Sequence, residues 1–154
     1  MRLTTEEVLR DVYLEAARHD LARSLKTGDD WVRLKEITQD ATARIEAERA
    51  AHAHDYQARI AEAKQIILRE EHGIRLDQPL PPGVEKQSDA DRLQSIAETR
   101  VRQDYDRRIA VIKTDELDQY RDLTNAIRMR DRSEVSEQAR SQSPERKRSG
   151  PTRE

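Results

Sequence analysis

Across its 154 residues the chain is 34% hydrophobic and 39% charged, with one Trp, four Tyr, no Phe and a formal net charge of only −2. That composition argues against a sheet-based globule, which needs more aromatic and β-branched material to bury, and the near-balanced charge argues against a chain-wide field for nucleic acid or anionic membranes. Without cysteine there is no disulfide framework and no thiolate chemistry. No apolar run approaches the roughly 20 residues needed to span a bilayer, and the opening MRLTTEEV lacks an apolar signal core, so a cytoplasmic setting without membrane contact is expected. Arg far outnumbers Lys, a hint of a GC-rich bacterial genome.

The chain is rich in Ala, Glu, Arg, Gln and Leu, which favour helices. A first helix is expected over about residues 5–27. Thr4 and Glu7 have the spacing of a capping box, and Leu3 and Val8 that of a hydrophobic staple. Its apolar face is read as Val8, Val12 and Ala16, then, shifted by one, Leu21 and Leu25. Gly28 is expected to end it in the left-handed conformation.

A second helix is expected over residues 31–72, with Asp29 or Asp30 as N-cap. Its stripe is Leu34, Ile37, Ala41, Ile45, Glu48, His52, Tyr56, Ile60, Ala63 and Ile67. The mean step of about 3.7 residues is nearer an 11-residue than a 7-residue repeat, so little left-handed supercoiling is required. Gly73 can close this helix, with Ile74 folding back on Leu68. Residues 74–88 contain Pro79, Pro81, Pro82 and Gly83 and predict an extended or turning tip loop. Ser88, with Asp91 three residues on, predicts the start of a third helix over 89–130. Its stripe is Leu93, Ile96 or Ala97, Val101, Tyr105, Ile109, Ile112, Leu117, Tyr120, Leu123 and Ile127. Residues 131–154, with little to bury, are expected to form a disordered tail.

The two long helices match in length. With His72 opposite Asp89, residues whose numbers sum to about 161 lie level in an antiparallel return. Both stripes then face each other along their length, although pairing between two chains satisfies much of the same pattern. The expected architecture is an all-α, coiled-coil-like helical hairpin over residues 1–130, with the shorter N-terminal helix packed on one end as a three-helix base. Trp31 would seal that base against Leu25 and Ile127, or anchor an interface.

Glu48 and His52 interrupt the second stripe. A metal site would need His or carboxylate partners on the facing segment, and RRIAVIK supplies neither. The preferred reading is a register-setting polar layer in which Glu48 pairs with Lys113 and His52 rests beside Ile109. His52 and His54 point about 200° apart on a helix and cannot share an ion. No nucleophile elbow, phosphate loop or dinucleotide fingerprint is present. No catalytic, metal-binding or cofactor-binding residue is assigned, and an enzyme is not expected.

Function is expected to lie in contact with a protein partner. Leu76, Pro79, Leu80, Pro81, Pro82 and Val84 put apolar groups on a stiff tip loop, which either receives a partner or folds back over the stalk end. Ala47, Ala50, Ala58 and Ala61 permit close approach of a second helix, and hence a homodimer. The alternative is a nucleic-acid-associated accessory protein, for example of a bacterial mobile element. It would use Arg100, Arg102, Arg107 and Arg108 with the tail cluster Arg146, Lys147 and Arg148. Asp104 and Asp106 interrupt the first group, and acidic residues nearly balance the tail.

Overall fold

The computed structural model describes residues 4–87 and 89–149, with side chains through Arg140 other than that of Gln87. The described residues form helices α1 (Thr5–Ser24), α2 (Gly28–His72), α3 (Val84–Gln87) and α4 (Ala90–Ser149), and contain no strand. α2 and α4 pack against each other as an antiparallel hairpin, and α1 contacts α4. Two compact units result, Met1–Gln39 with Lys113–Glu154, and Asp40–Ile112.

In the first unit, Leu21, Leu34, Ile37, Tyr120 and Ile127 form the core, with Leu14, Ala17, Leu25 and Leu123 packed against it. α1 runs in the same direction as α4, because Asp11 meets Lys113 at 2.8 Å and Asp20 meets Arg128 at 3.1 Å. α2 runs against α4, with Asp30 on Arg130 and Thr38 on Tyr120. In the second unit, Ile60, Ala63, Ile67, Leu68, Leu93, Ala97 and Val101 form a separate core, with Tyr56, Leu80, Val84 and Ile96 packed on it. Every residue of the α2 stripe is buried or half-buried, as is every residue of the α4 stripe. Antiparallel order holds here too, with Glu48 on Arg108 and Glu71 on Arg92.

Several local devices stand where the spacing placed them. Thr4 and Glu7 form both arms of the capping box. Gly73 has φ +68, and the N–H groups of Gly73 and Ile74 donate to the carbonyls of Glu70 and Arg69, a Schellman closure of α2. Leu3 and Ser88, expected in the staple and as an N-cap, lie outside the described residues. The cap of α4 is instead Asp89, whose carboxylate accepts from the N–H groups of Asp91 and Arg92 at 3.0 and 3.3 Å.

The turn between α1 and α2 differs from expectation. α1 ends at Ser24 with an extended Leu25 as C-cap, and Gly28 is the first residue of α2 rather than a left-handed terminator. Thr27 caps α2: its hydroxyl accepts from the Asp30 N–H, and the Asp30 carboxylate accepts from the N–H groups of Thr27 and Lys26. Asp30 is thus a capping-box partner inside the helix, not its N-cap. With Asp30, Leu34 and Ile37 on the inward face, Trp31 is turned outward and is 54% exposed. It does not seal the base.

α1 also buries a different face from the one expected. Leu14, Ala17, Leu21 and Leu25 form an unbroken helical spacing and point inward, whereas Val8, Leu9 and Val12 are about half-exposed away from that face and Tyr13 is half-exposed at its edge, beside the cleft between α1 and α4. The shift by one residue after Ala16 in the expected stripe was the join between two faces. At its other end, α4 does not stop near Arg130 but continues to Ser149. Arg, Glu, Gln and Ala favour helix, and from Arg132 to Arg140 every side chain is exposed, so this continuation needs no core to form.

A buried polar layer in the first unit joins α2 to α4. The fully buried Tyr120 hydroxyl donates to the Glu116 carboxylate and stands 2.7 Å from the Thr38 hydroxyl. Burial, with the carboxylate beside it, pushes this phenol up to about 12. Tyr120→Phe is expected to cost about 1–3 kcal/mol in denaturant unfolding, because buried Glu116 loses its donor. Val12→Ser, on the outward face of α1, is expected to cost less than about 0.5 kcal/mol by the same measurement.

Asp30 is 4% exposed and accepts from both terminal nitrogens of Arg130, at 2.7 and 3.3 Å. Those bonds, reinforced by the two backbone donors, outweigh burial and hold its pKa at about 2 against an ordinary 3.8. The folded chain therefore binds this proton less readily than the unfolded one. Its stabilisation is fully present above pH 3.8 and is lost as pH falls toward 2. Asp30→Asn is expected to lower the melting temperature at pH 7 and to flatten its fall between those pH values, read by circular dichroism.

Candidate functional site

The densest gathering of functional side chains in the second unit lies in the polar stretch of the α2 stripe. One turn separates Glu48 from His52 and two turns separate His52 from Arg59, so all three share one side of α2. Across from them, α4 presents Tyr105 and Arg108. The His52 ring stacks on Tyr105 with centroids 4.2 Å apart and meets Tyr56 edge-on at 5.5 Å. Tyr105 thus sits against His52, one turn from the level expected of it opposite Tyr56.

Arg108 donates from Nε to Glu48 at 3.0 Å, and Arg59 stands 4.0 Å from Asp55. Arg108 is thus paired along one edge, whereas Arg59 has a carboxylate only at ion-pair distance. Arg59 Nη1, Arg108 Nη2 and His52 Nδ1 are nevertheless buried without a hydrogen-bond partner. Burial of the imidazole, then the nearby positive charges of Arg59 and Arg108, lower the His52 pKa from its ordinary 6.5; Asp106 and Glu48 act more weakly in the other direction. Arg59 and Arg108 also line a cleft of about 210 Å³ with Ala63, Ile66 and Val101, and Glu62 and Asp104 stand at the same cleft.

The expected polar layer is therefore redrawn. Glu48 and His52 belong to it, but Lys113 pairs with Asp11 of α1 instead of Glu48, and Arg108 takes its place. The spacing of Arg108 from Val101 and Tyr105 on the α4 face was the sequence signal for this. It was obscured because neighbouring arginines made Arg108 look like part of an exposed basic patch. His54 points away and bonds Asp55 at 2.8 Å, which holds that carboxyl below its ordinary range. Among the described residues no group of three His, Asp or Glu side chains is arranged to hold a metal ion.

The arginines expected to face nucleic acid are distributed among ion pairs. Arg100 binds Glu70, Arg102 lies 3.8 Å from Asp106, Arg107 lies 3.2 Å from Asp104, and Arg108 holds Glu48. The side chains of Arg146, Lys147 and Arg148 lie outside the described residues. At the tip, the six expected residues divide. Leu80 and Val84 pack on the second core, while Leu76, Pro79, Pro81 and Pro82 are exposed, Leu76 to 74%. Ala47, Ala50, Ala58 and Ala61 all lie on exposed positions of α2. None of the described helices is long and apolar enough to cross a membrane.

Comparison of the chain with protein-family models, with curated proteins and with solved structures finds no match.

The imidazole gives the second unit a pH dependence of its own. Because the folded state disfavours protonation of His52, the unfolded chain binds the proton more readily below pH 6.5. Stability is complete above that value and falls as pH drops through it toward the lowered folded pKa. His52→Phe is expected to remove this mild-acid loss while keeping the stack on Tyr105, as read by urea midpoints between pH 7 and pH 5.

Proposed function

We propose that this protein is a non-enzymatic helical adaptor that binds a protein partner through apolar side chains displayed on its helical framework. The observation that carries the proposal is the outward face of α1. Val8, Leu9, Val12 and Tyr13 occupy one side of the helix, each 45–54% exposed, while Glu7, Arg10 and Asp11 take the half-buried positions beneath them. A helix in this chain with nothing further to contact gains nothing from that inversion. A run of large apolar residues on one helix face is the usual form of a groove-binding or helix-binding surface.

Exposed Leu76 and prolines 79, 81 and 82 support a second contact at the tip, where a pre-extended segment loses little entropy on capture. The paired helices α2 and α4 serve in this reading as the scaffold that carries these groups. A cytoplasmic setting and a bacterial origin belong to the same proposal. The accessory role on nucleic acid has less support, because Arg100, Arg102, Arg107 and Arg108 are each engaged by a carboxylate.

Affinity capture from host extract, with and without nuclease, tests the proposal against a Val12→Asp/Tyr13→Ser variant and a Leu76→Asp variant. A protein captured regardless of nuclease, and lost with the α1 variant, is the expected result; loss of about ten-fold or more in affinity corresponds to removing one apolar anchor. Capture that depends on intact nucleic acid and fails steeply with added salt would replace the adaptor by the accessory reading. Partner binding indifferent to both variants would remove the two surfaces from the proposal.

A further inference from the structure

The outward face of α1 carries a pattern that an arbitrary partner does not require. Thr5, Leu9, Val12, Ala16 and Asp20 recur at steps of three and four, so they form one stripe along the helix. Val8 and Tyr13 flank it on either side. All of these side chains are exposed except Asp20, which is half-buried. On the Tyr13 side the stripe borders a cleft of about 350 Å³, to which α1 contributes Tyr13, Ala16 and Ala17 and α4 contributes Arg121 and Thr124. A helix laid along the stripe therefore has a groove to enter.

Reversed end for end, the stripe is its own complement. In an antiparallel pair centred between Val12 and Tyr13, residues whose numbers sum to about 25 lie level. Val12 then meets the partner's Tyr13, while Val8 and Leu9 close over the partner's Ala16, large groups against a small one. Thr5 comes level with the partner's Asp20, a hydroxyl donor facing a carboxylate.

Charge is arranged in the same sense. The first turn exposes Glu6, and the far end of the helix exposes His19 and Arg23. Among the described residues none of these three forms an ion pair; those of α1 belong to Asp11 and Asp20, both joined to α4. An antiparallel pair brings each Glu6 to the partner's His19 and Arg23 and opposes the two helix dipoles. A parallel pair would set like charges together at both ends.

We infer that α1 docks antiparallel on α1 of a second copy of this chain, stripe against stripe across a two-fold axis between Val12 and Tyr13. This rests on the reading of the α1 face as a partner-binding surface and names the partner. The symmetry closes the contact, so dimers do not grow into chains. One 20-residue helix from each copy gives a contact below about 1,200 Å², and a dissociation constant on the order of 10 µM is expected.

The test is sedimentation equilibrium of the full chain from about 1 to 300 µM, a range that brackets that constant. Monomers are expected to pass into dimers, and Val12→Asp to weaken association about ten-fold or more with unchanged circular dichroism. The chain has no cysteine, so single introduced thiols report the geometry directly. Val12→Cys, near the axis, is expected to form an inter-chain disulfide on mild oxidation, because bridged Cα atoms lie within about 7 Å. Thr5→Cys places its two thiols about 22 Å apart along the pair and is expected to stay reduced. These two variants decide the matter if Val12→Asp does not fold.

A chain monomeric throughout that range, a folded Val12→Asp chain that associates undiminished, or Thr5→Cys cross-linking as fast as Val12→Cys would overturn the inference. A monomer that still captures a host protein through Val12 and Tyr13 would overturn the second copy alone. A Val12-dependent dimer that captures nothing further from host extract supports the second copy and overturns the reading of a separate host partner.

Discussion

The arrangement of the first unit depends on one buried carboxylate. Asp30 lies at the only turn between α1 and α2, and its two oxygens accept from the backbone of Lys26 and Thr27 and from the guanidinium of Arg130. A buried charge is tolerated only when its lone pairs are filled, and here the fillers come from the turn and from α4. The α1–α2 turn, α2 and α4 therefore converge on a single group. The direction in which α2 leaves the turn follows, and with it the face that α2 presents to α4: Leu34 and Ile37 inward, Trp31 and Val32 outward.

Apolar burial is distributed between two small cores, each built largely of aliphatic residues and alanine. Such cores attract helices without strongly fixing how far one slides past the other. Polar pairs at intervals supply that information. Asp30 with Arg130, Thr38 with Tyr120 and Glu116, Glu48 with Arg108, and Glu71 with Arg92 each join α2 to α4 at a definite level. A displacement of one turn would take Arg130 away from buried Asp30 and Thr38 away from the Tyr120 hydroxyl, at a cost comparable to part of a small core's surplus. Polar groups placed in an apolar seam thus act here as markers of register, with some loss of stability relative to an all-apolar seam.

The same economy shapes the surface. Every arginine on α4 from Arg92 through Arg108 is paired with a carboxylate. The large apolar groups outside the cores lie on the outward side of α1, at the start of α2 and at the tip, with Val111, Met129 and Val135 exposed singly along α4. In the adaptor role proposed above, internally paired charge and unpaired apolar area would favour recognition by shape and apolar contact over recognition by long-range field.

What the sequence determined by itself was whatever depends on near neighbours along the chain. The Thr4 capping box, the Gly73 closure and the apolar spacing of α2 and α4 were all legible, because caps and helix faces are set within four residues. The antiparallel direction was legible as well, since two long stripes joined by one loop have few ways to meet, but around His52 the level fell one turn from the one expected. Tertiary structure decided which of two apolar faces α1 would bury, which carboxylate would enter the helix turn, and whether Glu48 would hold Lys113 or Arg108. Each of those choices compares partners far apart in the chain and differing by a small energy, so periodicity carries no information about them. Leu14 and Leu21 prevailed over Val8 and Val12 because they continue without a break into Leu25 and the Tyr120 core, a preference visible only once α4 lies alongside.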